Sequence, residues 1–215
     1  MLPNPIRYHL YTGQPLPDPW PYDYVIDANG ILKRASTPYF DARLRVASAR
    51  VAGLAYAGGP PLALHVPEIP AKWLDRVLDH ARRAGQGAGV LRPIEQMYHF
   101  HWTWPDLLDF DPFEAETPEK TWRVSVPRQR AGAARVQYRG GSEASVVLDL
   151  HSHHMMDAYF SPTDDRDEQG CRLYAVIGRI YDRPEICVRV GLYGDFLEIA
   201  PSLVFERSIQ FYDWR

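Results

Sequence analysis

The sequence predicts a mixed α/β domain, α+β in character, rich in antiparallel sheet and preceded by a β-rich N-terminal extension. Three observations carry that prediction. Short apolar runs with period-two alternation recur along the chain, one stretch alone has a clear helical stripe, and Asn-Gly, Gly-Gly and Pro-rich punctuation separates them.

Taken in order, Tyr22 to Arg34 alternates around Asn29-Gly30, a hairpin signal. Phe40 to Leu54 continues the strand pattern with Leu44, Val46 and Val51. Gly58-Gly59-Pro60-Pro61 is the strongest break in the first half, so residues 1–60 are read as an extension and 61–215 as the main domain. About 60 residues bury too little apolar surface to stand alone, which makes an extension packed on the domain the better reading. Pro70 to Ala84 is the helix. Proline suits its first position, Trp73, Leu74, Val77, Leu78 and Ala81 form one stripe, and Gly85 can end it. Ile94 to Trp104 reads as a strand and the acid- and proline-rich Pro105 to Lys120 as a long loop. Strands are expected at Trp122–Val126, Ala134–Tyr138 and Ser145–His151, the last two joined by a turn at Gly140-Gly141. A short helix from Pro162 precedes strands at Leu173–Tyr181, Ile186–Tyr193 and Phe196–Ile199.

Composition excludes several function classes. The 215 residues carry a formal net charge of −3, with charges of both signs interspersed, which gives no electrostatic reason to expect nucleic acid. The least polar window, Val46 to Val66, contains Gly58-Gly59-Pro60-Pro61 and cannot span a membrane as a helix. The first residues lack the uninterrupted apolar stretch of a signal peptide. Cys171 and Cys187 are too few for a disulfide framework. A cytoplasmic location with reduced thiols is the expectation that remains.

The chemistry concentrates in Asp149-Leu150-His151-Ser152-His153-His154 and the following Ser161-Pro162-Thr163-Asp164. Alternation along the strand puts His151 and His153 on one face, so two imidazoles at its end can point at one ion. Ser161 suits a helix N-cap and Pro162 the first helical position, leaving Asp164 one turn in, able to swing back toward the histidines. Two imidazoles and a carboxylate suit Zn2+ and leave a fourth tetrahedral position for water. A capping box explains Ser161 and Asp164 without any metal, and that bland alternative stands beside the first. The joint pattern H-x-H-x7-S-x2-D, however, arises by chance in roughly one chain of this size per thousand.

That pattern, unbroken in His151, His153, Ser161 and Asp164, resembles the signature of the JAB/MPN (JAMM) zinc metallo-isopeptidases, and the order of elements over residues 63–200 resembles theirs too. More narrowly, the chain is similar to the protein A family of the bacterial ParB-related, ThiF-related cassettes (PRTRC). The resemblance implies a cytidine-deaminase-like mixed sheet flanked by helices. It implies a metallopeptidase that cleaves at the C-terminus of a ubiquitin-like protein, with an E1-like ThiF-family protein of the same cassette as a partner. It also implies a glutamate on an upstream strand that acts as general base toward zinc-activated water, with Ser161 donating to the oxyanion. Among Glu68, Glu95 and the cluster Glu114, Glu116 and Glu119, the family order favours Glu95, which is expected to open the strand after the helix.

Two departures stand out. His154 replaces the family's proline, and the strand after Glu95 is aromatic rather than glycine-rich. His154 is expected in solvent more often than in a functional role. The second H-x-H, His99 and His101, can face one side of its strand, but no serine and aspartate follow, so polar positions on a half-buried strand explain it better. Barrel phosphoesterases and amidohydrolases that begin with H-x-H need later histidines, and none follows His154. A non-catalytic MPN-like scaffold is the competing class.

Overall fold

The computed structural model describes residues 6–84, 86–87, 90–91, 94–103, 120–127, 129–131, 136–138 and 145–214. Its first sheet has the order β1-β2-β3-β4-β5, formed by β1 (Arg7–Leu10), β2 (Asp23–Asp27), β3 (Gly30–Ser36), β4 (Phe40–Ser48) and β5 (Leu62–Leu64). β1 runs parallel to β2 and the other pairs are antiparallel. The predicted hairpin is β2–β3, closed by the pairing of Asp27 with Gly30. Gly30 has φ +127°, and a Cβ there would stand 2.2 Å from the Ala47 carbonyl oxygen, so only glycine fits. The Gly-Gly-Pro-Pro break leads into β5, which pairs with β4, so strand pairing in this sheet continues to Leu64.

Asp23 and Asp27, both fully buried on the inward positions of β2, are neutralised by arginines from the next strands. Arg34 reaches Asp23 at 2.6 and 2.8 Å, and Arg45 grips Asp27 with two bonds of 2.9 Å. Buried charge is tolerated when it is paired and hydrogen-bonded in this way.

α1 (Ala71–Ala84) matches the predicted helix and buries Leu74, Val77, Leu78 and Ala81, while Trp73 lies half-buried beside Arg76. Two antiparallel strand pairs follow along the chain, β6 (Gln86–Gly87) with β7 (Val90–Leu91) and, further on, β10 (Gln129–Ala131) with β11 (Val136–Tyr138). The larger sheet has the order β15-β14-β13-β12-β8-β9, with β16 also on β14. Its strands are β8 (Met97–Thr103), β9 (Thr121–Ser125), β12 (Val146–Ser152), β13 (Cys171–Gly178), β14 (Glu185–Leu192), β15 (Asp195–Ile199) and β16 (Asp213–Trp214). β12 is parallel to β13 and antiparallel to β8, and every one of its residues is buried. α2 (Pro162–Asp167) is the short helix predicted after Ser161. Two mixed sheets with few helices make the α+β fold that the sequence predicts.

Cα packing divides the chain into two compact units. One comprises Met1–Pro67, Phe160–Arg172 and Arg189–Ile199; the other comprises Glu68–Tyr159, Leu173–Val188 and Ala200–Arg215. The second has the larger apolar core, with Leu148, Leu150, Leu173 and Ile177 from the strands, Leu74 and Leu78 from α1, and Phe100 against Phe205. Among the described residues no helix is long and apolar enough to cross a membrane. Both cysteines are free thiols, and burial pushes that of Cys171 up to about 12.

Two expectations need correction. The strand predicted to open at Ile94 begins at Met97, so Glu95 precedes it rather than opening it. The cause lies in the partner strand: the Gln96 amide donates to the Ser152 hydroxyl at 3.0 Å, and a side chain thereby takes the place of a ladder carbonyl. The strand of His99 and His101 is also more enclosed than half-buried, because both histidines are buried. The loop expected over Pro105 to Lys120 (apart from Lys120 itself), the turn at Gly140-Gly141, and Glu114, Glu116 and Glu119 lie outside the described residues.

Candidate metal centre

His151 is the penultimate residue of β12, and His153 follows the strand by one position. Backbone pairing extends past the strand end, because the His153 amide donates to the Ile177 carbonyl at 2.7 Å. Extended backbone through this point keeps both rings on one face, and their Nε2 atoms lie 3.2 Å apart. Two nitrogens bound at about 2.0–2.1 Å to one tetrahedral ion would be separated by about 3.3 Å. The Asp164 carboxylate completes the group: one ligand atom from each of His151, His153 and Asp164 lies within 4.8 Å of the others.

The tautomer of His153 follows from its other nitrogen. Nδ1 is 3.2 Å from the Asp157 carbonyl oxygen, which can only accept, so Nδ1 carries the proton and Nε2 presents its lone pair. The loop that supplies this carbonyl is pinned at several points. Met156 N donates to His153 O, Arg179 N to Met156 O, Ile180 N to His154 O, and Ala158 N to a Glu185 carboxylate oxygen. Gly178 allows the close approach, since a Cβ there would stand 2.3 Å from Ala158 N and 2.4 Å from the Asp157 carbonyl carbon.

Ser161 and Asp164 form a full capping box. The Asp164 amide donates to Ser161 Oγ at 3.3 Å, and the Ser161 amide donates to Asp164 Oδ2 at 2.6 Å. The cap and the metal reading are compatible. A carboxylate has two oxygens, and a hydroxyl that accepts from an amide keeps its own proton for another acceptor.

Glu95 lies across from the second histidine. His151 pairs with Met97 in the β12–β8 ladder, and Ser152 bonds Gln96 through both its amide and its hydroxyl. Continuing that antiparallel register by one residue sets Glu95 opposite His153, with a side chain only 6% exposed. His154, 2% exposed with φ +29°, is not in solvent as expected. Burial holds its pKa below the ordinary histidine value, partly offset by a hydrogen bond to the Ile94 backbone. Ile94 and Gln96 are thus tied to residues 154 and 152, and Glu95 is held between two anchored neighbours.

The remaining candidates are placed elsewhere. Glu68 is exposed ahead of α1. His101 is satisfied by the Ser145 and Ser125 hydroxyls at 3.1 and 2.8 Å, and His99 faces Asp149 at 3.6 Å. Among the described residues, His151, His153 and Asp164 are the grouping with spacing for a metal. Sequence reasoning missed the Asp157 carbonyl, Gly178 and Glu185. The first is a backbone atom with no residue-type signal, and the other two act through close approach in space.

A comparison with family models matches residues 70–190 to the prokaryotic homologs of the JAB domain. A comparison with curated proteins finds no match.

Proposed function

Because the chain belongs to the prokaryotic homologs of the JAB domain, we propose that it is a zinc-dependent peptidase or isopeptidase that cleaves at the C-terminus of a ubiquitin-like protein. The observation that carries the reading is the convergence of two histidine Nε2 atoms, 3.2 Å apart, with the Asp164 carboxylate. His151, His153 and Asp164 would hold the zinc. Bound there, it would supply Lewis-acid polarisation of a scissile carbonyl and a water acidified toward neutral pH. The chain's own groups do the rest. Glu95 takes the proton of the attacking water and returns it to the leaving amine, which requires one carboxylate that reaches both. Ser161, fixed by its cap, donates its hydroxyl proton to the developing oxyanion.

The substrate class and the partner, an E1-like ThiF-family protein of a PRTRC-type cassette, rest on family resemblance and belong to the proposal, as does a cytoplasmic setting. The test is a ubiquitin-like protein from such a cassette fused to a reporter. Cleavage is expected to stop with chelator, return with zinc, and be lost in Glu95→Gln. Cleavage that survives removal of the metal would discard the mechanism.

One observation favours a second reading, a non-catalytic MPN-like scaffold: the capping box accounts for Ser161 and Asp164 without an ion. Metal analysis separates the two. One zinc per chain, lost in His151→Ala and in Asp164→Ala, supports the enzyme, whereas a native protein free of metal supports the scaffold.

A further inference from the structure

α2 carries Asp164 and is capped by Ser161, yet it has six residues and buries none of them. A helix of this length does not persist in water by its own propensity, and an apolar face is the usual anchor. Here the anchor is electrostatic. Arg189, on β14, is 4% exposed and donates through Nη1 to Asp165 at 2.6 Å and through Nε and Nη2 to Glu168 at 3.0 and 2.7 Å. Asp165 follows Asp164 directly, and Glu168 is the C-cap of the helix. The guanidinium carbon also lies 4.0 Å from the Phe160 ring centroid and 3.8 Å from that of Phe196. Phe160 immediately precedes the capping serine. One side chain therefore grips the residue before the N-cap, the first turn of the helix and its C-cap. A planar fork with five donors and a stacking face can make all of these contacts at once, and an ammonium cannot.

We propose that Arg189 is the positioning residue of the metal centre, fixing α2 so that the Asp164 carboxylate and the Ser161 hydroxyl are held in place. Resting on the zinc-hydrolase reading, this adds a residue that touches neither metal nor substrate. A supporting partner of a ligand typically governs metal affinity by about 10- to 100-fold.

The test uses the full chain. Zinc affinity is measured by competition with a chromophoric chelator, and ligand geometry by the visible absorption of the cobalt-substituted protein. Arg189→Met is expected to bind zinc about 10- to 100-fold more weakly and to lose cobalt band intensity, with its circular dichroism retained. Arg189→Lys is expected to recover part of the loss. Wild-type affinity and an unchanged cobalt spectrum in Arg189→Met overturn the inference. Where Arg189→Met does not fold, Glu168→Gln decides, because it keeps the shape and an acceptor oxygen while removing the charge. Weakened zinc binding in it supports the clamp, and wild-type binding overturns it. A wild-type chain that takes up no zinc overturns the hydrolase reading itself and the inference with it, which separates the two failures.

Discussion

At the scale of single residues, the proposed hydrolase separates ligands, supports and proton carriers. Glu95 is held by its neighbours rather than by any ligand role, so Glu95→Gln is expected to lower turnover by about 10²-fold or more while zinc affinity stays at the wild-type value. Parallel measurement of turnover and metal affinity checks this. Ser161 is a cap, and the proposed mechanism adds a second task, that of a donor. Ser161→Ala is expected to cost about 1 kcal/mol of stability through the cap and about 10²–10³-fold in turnover through the oxyanion. Denaturant unfolding alongside kinetics reads both, and a stability loss with full activity would leave only the capping task. His154 shows how a departure from a family pattern can be absorbed. In place of a stiff proline, a buried imidazole takes a left-handed conformation and ties residue 154 to the Ile94 backbone.

At the scale of elements, the loop after His153 and the start of α2 are held by different physics. The loop is fixed by backbone hydrogen bonds and by contact with β13, where Gly178 faces Ala158 N and the Asp157 carbonyl carbon. Gly178→Ala pushes a methyl group into backbone that cannot rotate away. It is expected to destabilise by about 1–3 kcal/mol and to weaken zinc binding by displacing the carbonyl that orients His153. Thermal unfolding and chelator competition check the two parts. α2, without an apolar face, depends on capping and on Arg189. β8 carries His99 and His101 inside the sheet, paired with Asp149 and with two serines, so these polar groups specify strand partners rather than an ion site.

At the scale of the whole molecule, stability depends on charge buried in the first sheet. Arg45 and two backbone amides hold the Asp27 carboxyl at about 2, below its ordinary 3.8. A depressed carboxylate pKa stabilises the fold above the unfolded value and loses that contribution as pH falls through the folded one. The Asp27 pair is therefore expected to contribute about 2 kcal/mol near pH 5 and nothing below pH 2. Urea unfolding at both pH values, with Asp27→Asn as the variant lacking this dependence, is the check. The same unit includes segments from far along the chain. Lys33 of β3, almost fully buried, donates to the Tyr193 carbonyl at 3.1 Å and to Asp195 at 2.8 Å, and Tyr22 packs on Tyr193. Deleting residues 1–60 is expected to lower the thermal midpoint by about 10 °C, since roughly 3 kcal/mol is lost with these contacts. A midpoint equal to that of the full chain would show that residues 61–215 hold together unaided.

The strand and helix periods, the hairpin at Asn29-Gly30 and the local reach of His151, His153, Ser161 and Asp164 were legible along the chain, because alternation, turn chemistry and capping act within a few residues. Glu95 was legible only by analogy of order, and its place opposite His153 was decided by the register of two strands more than fifty positions apart. The lone arginine in the apolar run Ile186 to Val190 was a readable signal that a buried charge needs partners. Which carboxylates answer it, and that Gly178 makes room for the Asp157 carbonyl, emerges from the folded chain alone. Pairing, close approach and charge compensation between distant segments depend on distances in space, and no spacing along the chain encodes those distances.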